Sequence, residues 1–122
     1  MKINNNFPRY KKFNPLIPVS CVTPDKGGCI HRFFNTSPFS PSGRYMALLH
    51  FPQEKRLPKP GELAEVVLID LNSGKETIIA ETKGWETQMG ANINWGSEDT
   101  ELYFNDVDTD IGVQQILHCM GV

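Results

Sequence analysis

A chain of 122 residues is one domain or part of one, and it can bury roughly two-thirds of the surface its unfolded form exposes. Its 14 acidic and 12 basic residues leave a formal charge of -2, a balance that offers no electrostatic footprint for nucleic acid or an anionic membrane. Ten glycines and nine prolines favour many short elements and turns over long helices.

The polar, proline-interrupted stretch from Met1 to Lys12 has no apolar signal-peptide core, and no apolar run approaches the ~18 residues of a membrane helix. No membrane and no nucleic-acid partner is therefore expected, and the expected compartment is the cytoplasm. The three cysteines, Cys21, Cys29 and Cys119, form no C-x-x-C pair and read as reduced thiols, with a Cys21–Cys29 bridge as the alternative.

Residues 1–30 hold Pro8, Pro15, Pro18, Pro24 and Gly27-Gly28, and read as an extended arm with one short strand near Leu16–Val22. Its Phe7, Tyr10, Phe13, Leu16 and Ile17 need a surface to pack on, a partner chain being one candidate. Phe33 and Phe34 read as core. Pro41-Ser42-Gly43 is turn chemistry, so the segment from Ser37 to Phe51 reads as a hairpin. Past the turn, Met46 and Leu48 point one way while Tyr45, Ala47, Leu49 and Phe51 point the other. A strand apolar on both faces suits the middle of a sheet covered above and below. His50 reads as a core or rim histidine.

Residues 52–61 carry three prolines and form an exposed loop, whose Lys55, Arg56 and Lys59 read as solvated charges in preference to an anion site. Ala64 to Leu71 is a strand rich in β-branched residues, Asn72-Ser73-Gly74 a tight turn, and Lys75 to Glu81 a more exposed edge strand guarded by its charges. Residues 84–90 are a loop, and 91–106 repeat the order strand, polar turn, strand. Val113 to Met120 is a strand or a short helix; its periodicity fits both.

Phe39-Ser-Pro-Ser-Gly-Arg-Tyr-Met-Ala-Leu48 can be laid over Trp95-Gly-Ser-Glu-Asp-Thr-Glu-Leu-Tyr-Phe104 at an offset of 56. Each copy is an aromatic, a four-residue polar turn and an apolar strand. Four strands per unit at such spacing is the grammar of a β-propeller blade, with the loop 52–61 lengthening the usual period. These residues, followed by Val66-Val-Leu-Ile-Asp-Leu-Asn-Ser-Gly-Lys75, resemble the WD40-like repeats of TolB-type propellers. Together with Cys29-Ile-His-Arg-Phe-Phe34 they are most similar to the oligogalacturonate lyase family.

The expected fold is thus all-β: an antiparallel four-stranded propeller blade (31–83) behind the N-terminal arm (1–30), and part of a second blade (84–122), an incomplete ring. Uncovered apolar faces are expected to drive homo-oligomerisation.

The resemblance implies a fragment or truncated member of a carbohydrate-active propeller, not catalytic alone, with an acidic oligosaccharide as partner. A non-catalytic blade module binding protein or sugar is the alternative. A complete family member implies a divalent metal held by later blades. In a propeller, His31 and Arg32, and Thr87 and Gln88 at the equivalent place, lie at one mouth of the channel. There Arg32 offers a bidentate fork to a uronate carboxylate and His31 a general base; both also read as structural hydrogen-bonding groups. Trp85, in a loop, suits sugar stacking better than Trp95, which falls on Phe39 in the repeat and reads as packing.

Asp106-Val-Asp-Thr-Asp110 spaces carboxylates as a calcium loop does, but Ile111 and Leu117 stand where an EF-hand needs Gly and Glu, so it reads as a solvated turn. His118 beside Cys119 offers only two metal ligands. There is no nucleophile elbow, P-loop or dinucleotide fingerprint.

Overall fold

The computed structural model describes the backbone of residues 7–12, 14–108 and 112–119, and the side chains of these residues as far as 107. All its regular elements are strands: β1 (Cys29–Ile30), β2 (Tyr45–His50), β3 (Ala64–Asp70), β4 (Glu76–Thr82), β5 (Asn94–Trp95), β6 (Glu101–Asp108) and β7 (Gly112–Cys119). They form two antiparallel meanders, β1-β2-β3-β4 and β5-β6-β7. The all-β expectation holds, and β1 opens the first sheet just ahead of the expected boundary at residue 31.

The two-faced pattern of β2 decides the architecture. Met46 pairs with Ile69 and Leu48 with Val67, and these four side chains share one buried cluster with Leu71. Ala47 and Leu49 point to the opposite face, where Leu49 pairs with Val66, and join Ala64 in a second cluster. β4 lies at the edge of the sheet with Thr77 and Ile78 exposed. A bulge leaves Ile79 between the pairs Val66–Ala80 and Val67–Ile78, so that Ile79 and Ala80 both reach the second cluster.

The hairpin at Pro41–Gly43 forms as its residues dictate. The Gly43 amide donates to the Ser40 carbonyl at 2.9 Å, with Gly43 at φ +79°, a conformation that glycine adopts without steric cost. The offset of 56 survives in the pairing. Phe39 opposes Met46 as Trp95 opposes Leu102, and the amides of Ser40 and Gly96 donate to the carbonyls of Tyr45 and Glu101, both at 2.8 Å. The two turns are tied to each other. The amide (3.0 Å) and hydroxyl of Ser42 both donate to the Asp99 carboxylate, and the Trp95 indole donates to the Pro38 carbonyl at 2.9 Å.

The sheets stack front to back. Leu102 and Phe104 of the second sheet are the counterparts of Met46 and Leu48, yet they join Ala47, Leu49, Ala64 and Val66, on the opposite face of the first sheet. Ala91 and Ile93 complete this shared core, and Trp95 packs on it. The Met46 face is covered differently, by Phe7 and Val22 of the N-terminal arm.

The arm departs from expectation. The single strand expected near 16–22 is reduced to one bridge, Arg9 to Ser20, flanked by bonds from the Tyr10 amide to Val19 (2.6 Å) and the Cys21 amide to Pro8 (2.9 Å). Pro15 and Pro18 lack the amides a ladder needs. The arm finds its packing surface on its own chain, through Phe7 at 4% exposure; Phe13 lies outside the described residues. Lys26 ties the arm's end to Glu65 (3.5 Å), which also meets His50 Nδ1 at 3.4 Å. Cys21 and Cys29 are free thiols, Cys21 exposed. Burial pushes Cys29 up to about 11 despite its hydrogen bond with Thr23.

Phe33 and Phe34 are not core. They stack on each other with centroids 4.5 Å apart, and Phe34 is 86% exposed. Both sit in the loop that separates β1 from the bridge at Phe39, and neither belongs to a core cluster. The choice at the C-terminal end falls to strand: β7 pairs with β6 from Glu101–Cys119 to Asp108–Gly112.

Truncating Phe7 should uncover the Met46 face. Phe7→Ala is expected to lower the unfolding free energy by about 3 kcal/mol in urea titration. An unmoved midpoint would mean that the arm is not packed there.

Candidate functional site

At the seam between the sheets, the chain leaving β4 is riveted to β6. The Thr82 hydroxyl, fully buried, donates to the Asn105 carbonyl at 2.5 Å and accepts from the Gly84 amide at 2.9 Å. The Asp106 carboxylate accepts from the amides of Lys83 (3.0 Å) and Val107 (2.8 Å) and from Thr82 Oγ1 (3.2 Å). Gly84 is required here, because a Cβ would stand 2.7 Å from the Asp106 backbone. Burial raises the Asp106 pKa, but these bonds outweigh it and hold the carboxyl below its ordinary value.

This rivet shapes one wall of a cleft of about 420 Å³. Trp85 forms part of it, oriented by a 2.7 Å bond from its indole to the Glu62 carbonyl and by tilted contact with Phe51 at 5.5 Å. Lys83, Met89, Asn92, Asn105 and Val107 line the rest, and Arg32 reaches in from the loop after β1.

The charge of the cleft is biased. Glu86, its acidic residue, is occupied by backbone donors, from Gln88 at 2.9 Å and from Met89. Arg32 and Lys83 remain as the cations of the lining. Two polar atoms of this lining are buried without a hydrogen-bond partner among the described residues: Arg32 Nε, a donor, and Asn92 Oδ1, an acceptor. Asn92 sits at φ +56°, a conformation uncommon outside glycine and most tolerated by Asn and Asp. Orphaned buried polar groups are rare in a folded chain, and Arg32 and Asn92, which both line this cleft, each carry one.

Comparison with family models, with curated proteins and with solved structures found no match.

Of the residues singled out in the sequence, Arg32 and Trp85 meet in this cleft. His31 adjoins Arg32, half-buried with Nδ1 unpartnered, but is not in the lining. Gln88 is exposed and outside it. Trp95 packs on the shared core. Arg56 makes a two-pronged ion pair with Glu62 at 3.0 and 3.1 Å, which settles it as a structural charge of its loop. The side chains of Asp108, Asp110, His118 and Cys119 lie outside the described residues.

Lys83, Asn92 and Asn105 were not anticipated. They stand in different segments, and no local pattern in the sequence joins them. Among the described residues no three His, Cys, Asp or Glu side chains stand together as a metal site.

The lowered Asp106 value has a pH consequence. Its stabilising contribution is fully present above the unfolded aspartate value of about 3.9 and is lost as pH falls through the lower folded value. Asp106→Asn should therefore reduce the melting temperature at pH 7 and flatten the acid limb of the stability curve. An acid limb identical to the parent's would contradict this placement of the carboxylate.

Proposed function

We propose that the chain is a pair of propeller-blade units of the WD40-like, TolB type, and that its cleft binds a carboxylate-bearing sugar without transforming it. The blade reading is supported by the repeated pairing at offset 56 and by the front-to-back stacking of the two sheets. Blades of a propeller stack through unlike faces in this way, whereas the sheets of a sandwich meet through their inner faces.

The ligand reading is carried by one observation. Arg32, with its buried unpartnered Nε, lines a cleft with Lys83, an indole wall and the unpartnered Asn92 Oδ1. A uronate offers a carboxylate for the cations and a ring face for Trp85. Binding is favoured over β-elimination because His31, the expected base, is not in the lining, and Glu86 is held by backbone amides. An oligogalacturonate-lyase-like activity would belong to a larger ring. Self-association would use the second sheet, since Phe7 and Val22 cover the Met46 face of the first.

Trigalacturonate titrated against the protein should quench Trp85 emission in a saturable way, while a neutral galactose trimer should not. Arg32→Gln should weaken binding by about tenfold or more, the worth of a hydrogen bond to a charged group. Equal affinity of the parent and the Arg32 variant, or growth of the ultraviolet absorbance of an unsaturated uronide, would contradict a binding role for this cleft.

A further inference from the structure

The near-neutral total hides a segregation of charge. Residues 1–24 hold four of the twelve basic residues and none of the fourteen acidic ones, so the remainder carries eight against fourteen. The positive segment includes the loop between the bridged residues Arg9 and Ser20. That bridge and its flanking bonds close the loop at its base, next to Phe7, which is buried in the core. The loop is thus presented by a stem fixed to the sheet.

At its tip, Leu16 is 104% exposed and Ile17 71% exposed, between Pro15 and Pro18. Behind the tip lies a concavity of about 530 Å³, whose polar lining includes Arg9, Lys11 and Asn14. Asn14 is at φ +44°, in a turn closed by its amide on the Lys11 carbonyl at 3.2 Å. Two adjacent aliphatic side chains held in water at the apex of a braced loop are an unusual expense, and such exposure marks an interaction surface.

We propose that this loop docks the protein peripherally on an anionic phospholipid bilayer, Leu16 and Ile17 entering the interface while Arg9 and Lys11 take lipid phosphates. The two aliphatic side chains stand clear of the body, with Arg9 and Lys11 on the same concavity that they help to line, so apolar and cationic groups are offered together. The cations beside the tip match an anionic headgroup layer, and the acidic remainder of the chain would be repelled to the aqueous side. No helix among the described residues is long and apolar enough to cross a membrane, and the association described here requires none.

The test is co-sedimentation of the full chain with vesicles of phosphatidylcholine alone or with about a third phosphatidylserine. The expected result is pelleting with the anionic vesicles only, weakened as salt shortens the screening length to ~3 Å at 1 M. Leu16→Asp with Ile17→Asp should abolish it. Arg9→Gln with Lys11→Gln should weaken it about 30-fold, at roughly fivefold per cation. Thermal melts of both variants should match the parent, as the altered side chains are exposed. Equal pelleting with neutral vesicles, no pelleting with anionic ones, or parent-like binding by the Asp variant would overturn the proposal. So would an absence of vesicle binding coupled with a concentration-dependent sedimentation coefficient that the Asp variant removes, because the loop would then be seated on a second copy.

Discussion

The structure depends on one packing constraint: two sheets of the same pattern are buried against each other through unlike faces. Leu102 and Phe104 of the second sheet press on Ala47, Leu49, Ala64 and Val66 of the first. The cluster mixes large and small side chains, alanines beside leucines and a phenylalanine, as dense packing requires. Apolar surface removed from water is worth roughly 25 cal/mol per Å², and this seam buries residues of both sheets together. The turn-to-turn ties, Ser42 to Asp99 and Trp95 to Pro38, lie along the same seam and set the relative position of the sheets.

Front-to-back stacking has a direct consequence, because it does not close on itself. Two sheets that meet through unlike faces always leave one face of each kind at the ends. The N-terminal arm deals with one of these, placing Phe7 and Val22 on the Met46 face. The same arm leaves Leu16 and Ile17 exposed, with Tyr10 and Val19 partly so. The cleft is a second product of the seam. It opens where the chain crosses from β4 to β5, and its depth comes from the Thr82 and Asp106 rivet that draws this crossing onto β6.

Much of this was legible in the residues. The alternation of Met46–Phe51 announced a strand buried on both faces, because side-chain direction in a strand has a period of two. The Pro41–Gly43 and Asn72–Gly74 turns announced their hairpins through backbone preferences that act locally. The match of Phe39 with Trp95 predicted equivalent pairing, which the register reproduces. What stayed hidden depends on distant parts of the chain. Phe33 and Phe34 have a core composition, but they fall in a loop between pairings and stay exposed, a matter of topology. The strand character of β7 comes from pairing with β6, not from its own periodicity. Of the cleft, Arg32 and Trp85 were identified singly, each for its chemistry. Lys83, Asn92 and Asn105 join them only through the rivet, which no local pattern encodes. The total charge concealed the basic arm because a sum carries no information about placement.

The direct test of the shared seam asks whether damage to one sheet is felt in the other. Cys29, half-buried in the first sheet with its thiol pushed up to about 11, reports on the opening of that sheet. Leu102→Ala in the second sheet removes a fully buried side chain from the common core and should cost about 2–5 kcal/mol. If the two sheets stand or fall together, maleimide labelling of Cys29 under native conditions accelerates in this variant by at least tenfold. A Cys29 labelling rate unchanged by Leu102→Ala, with the variant measurably destabilised, would show two sheets that fold independently and would contradict the account.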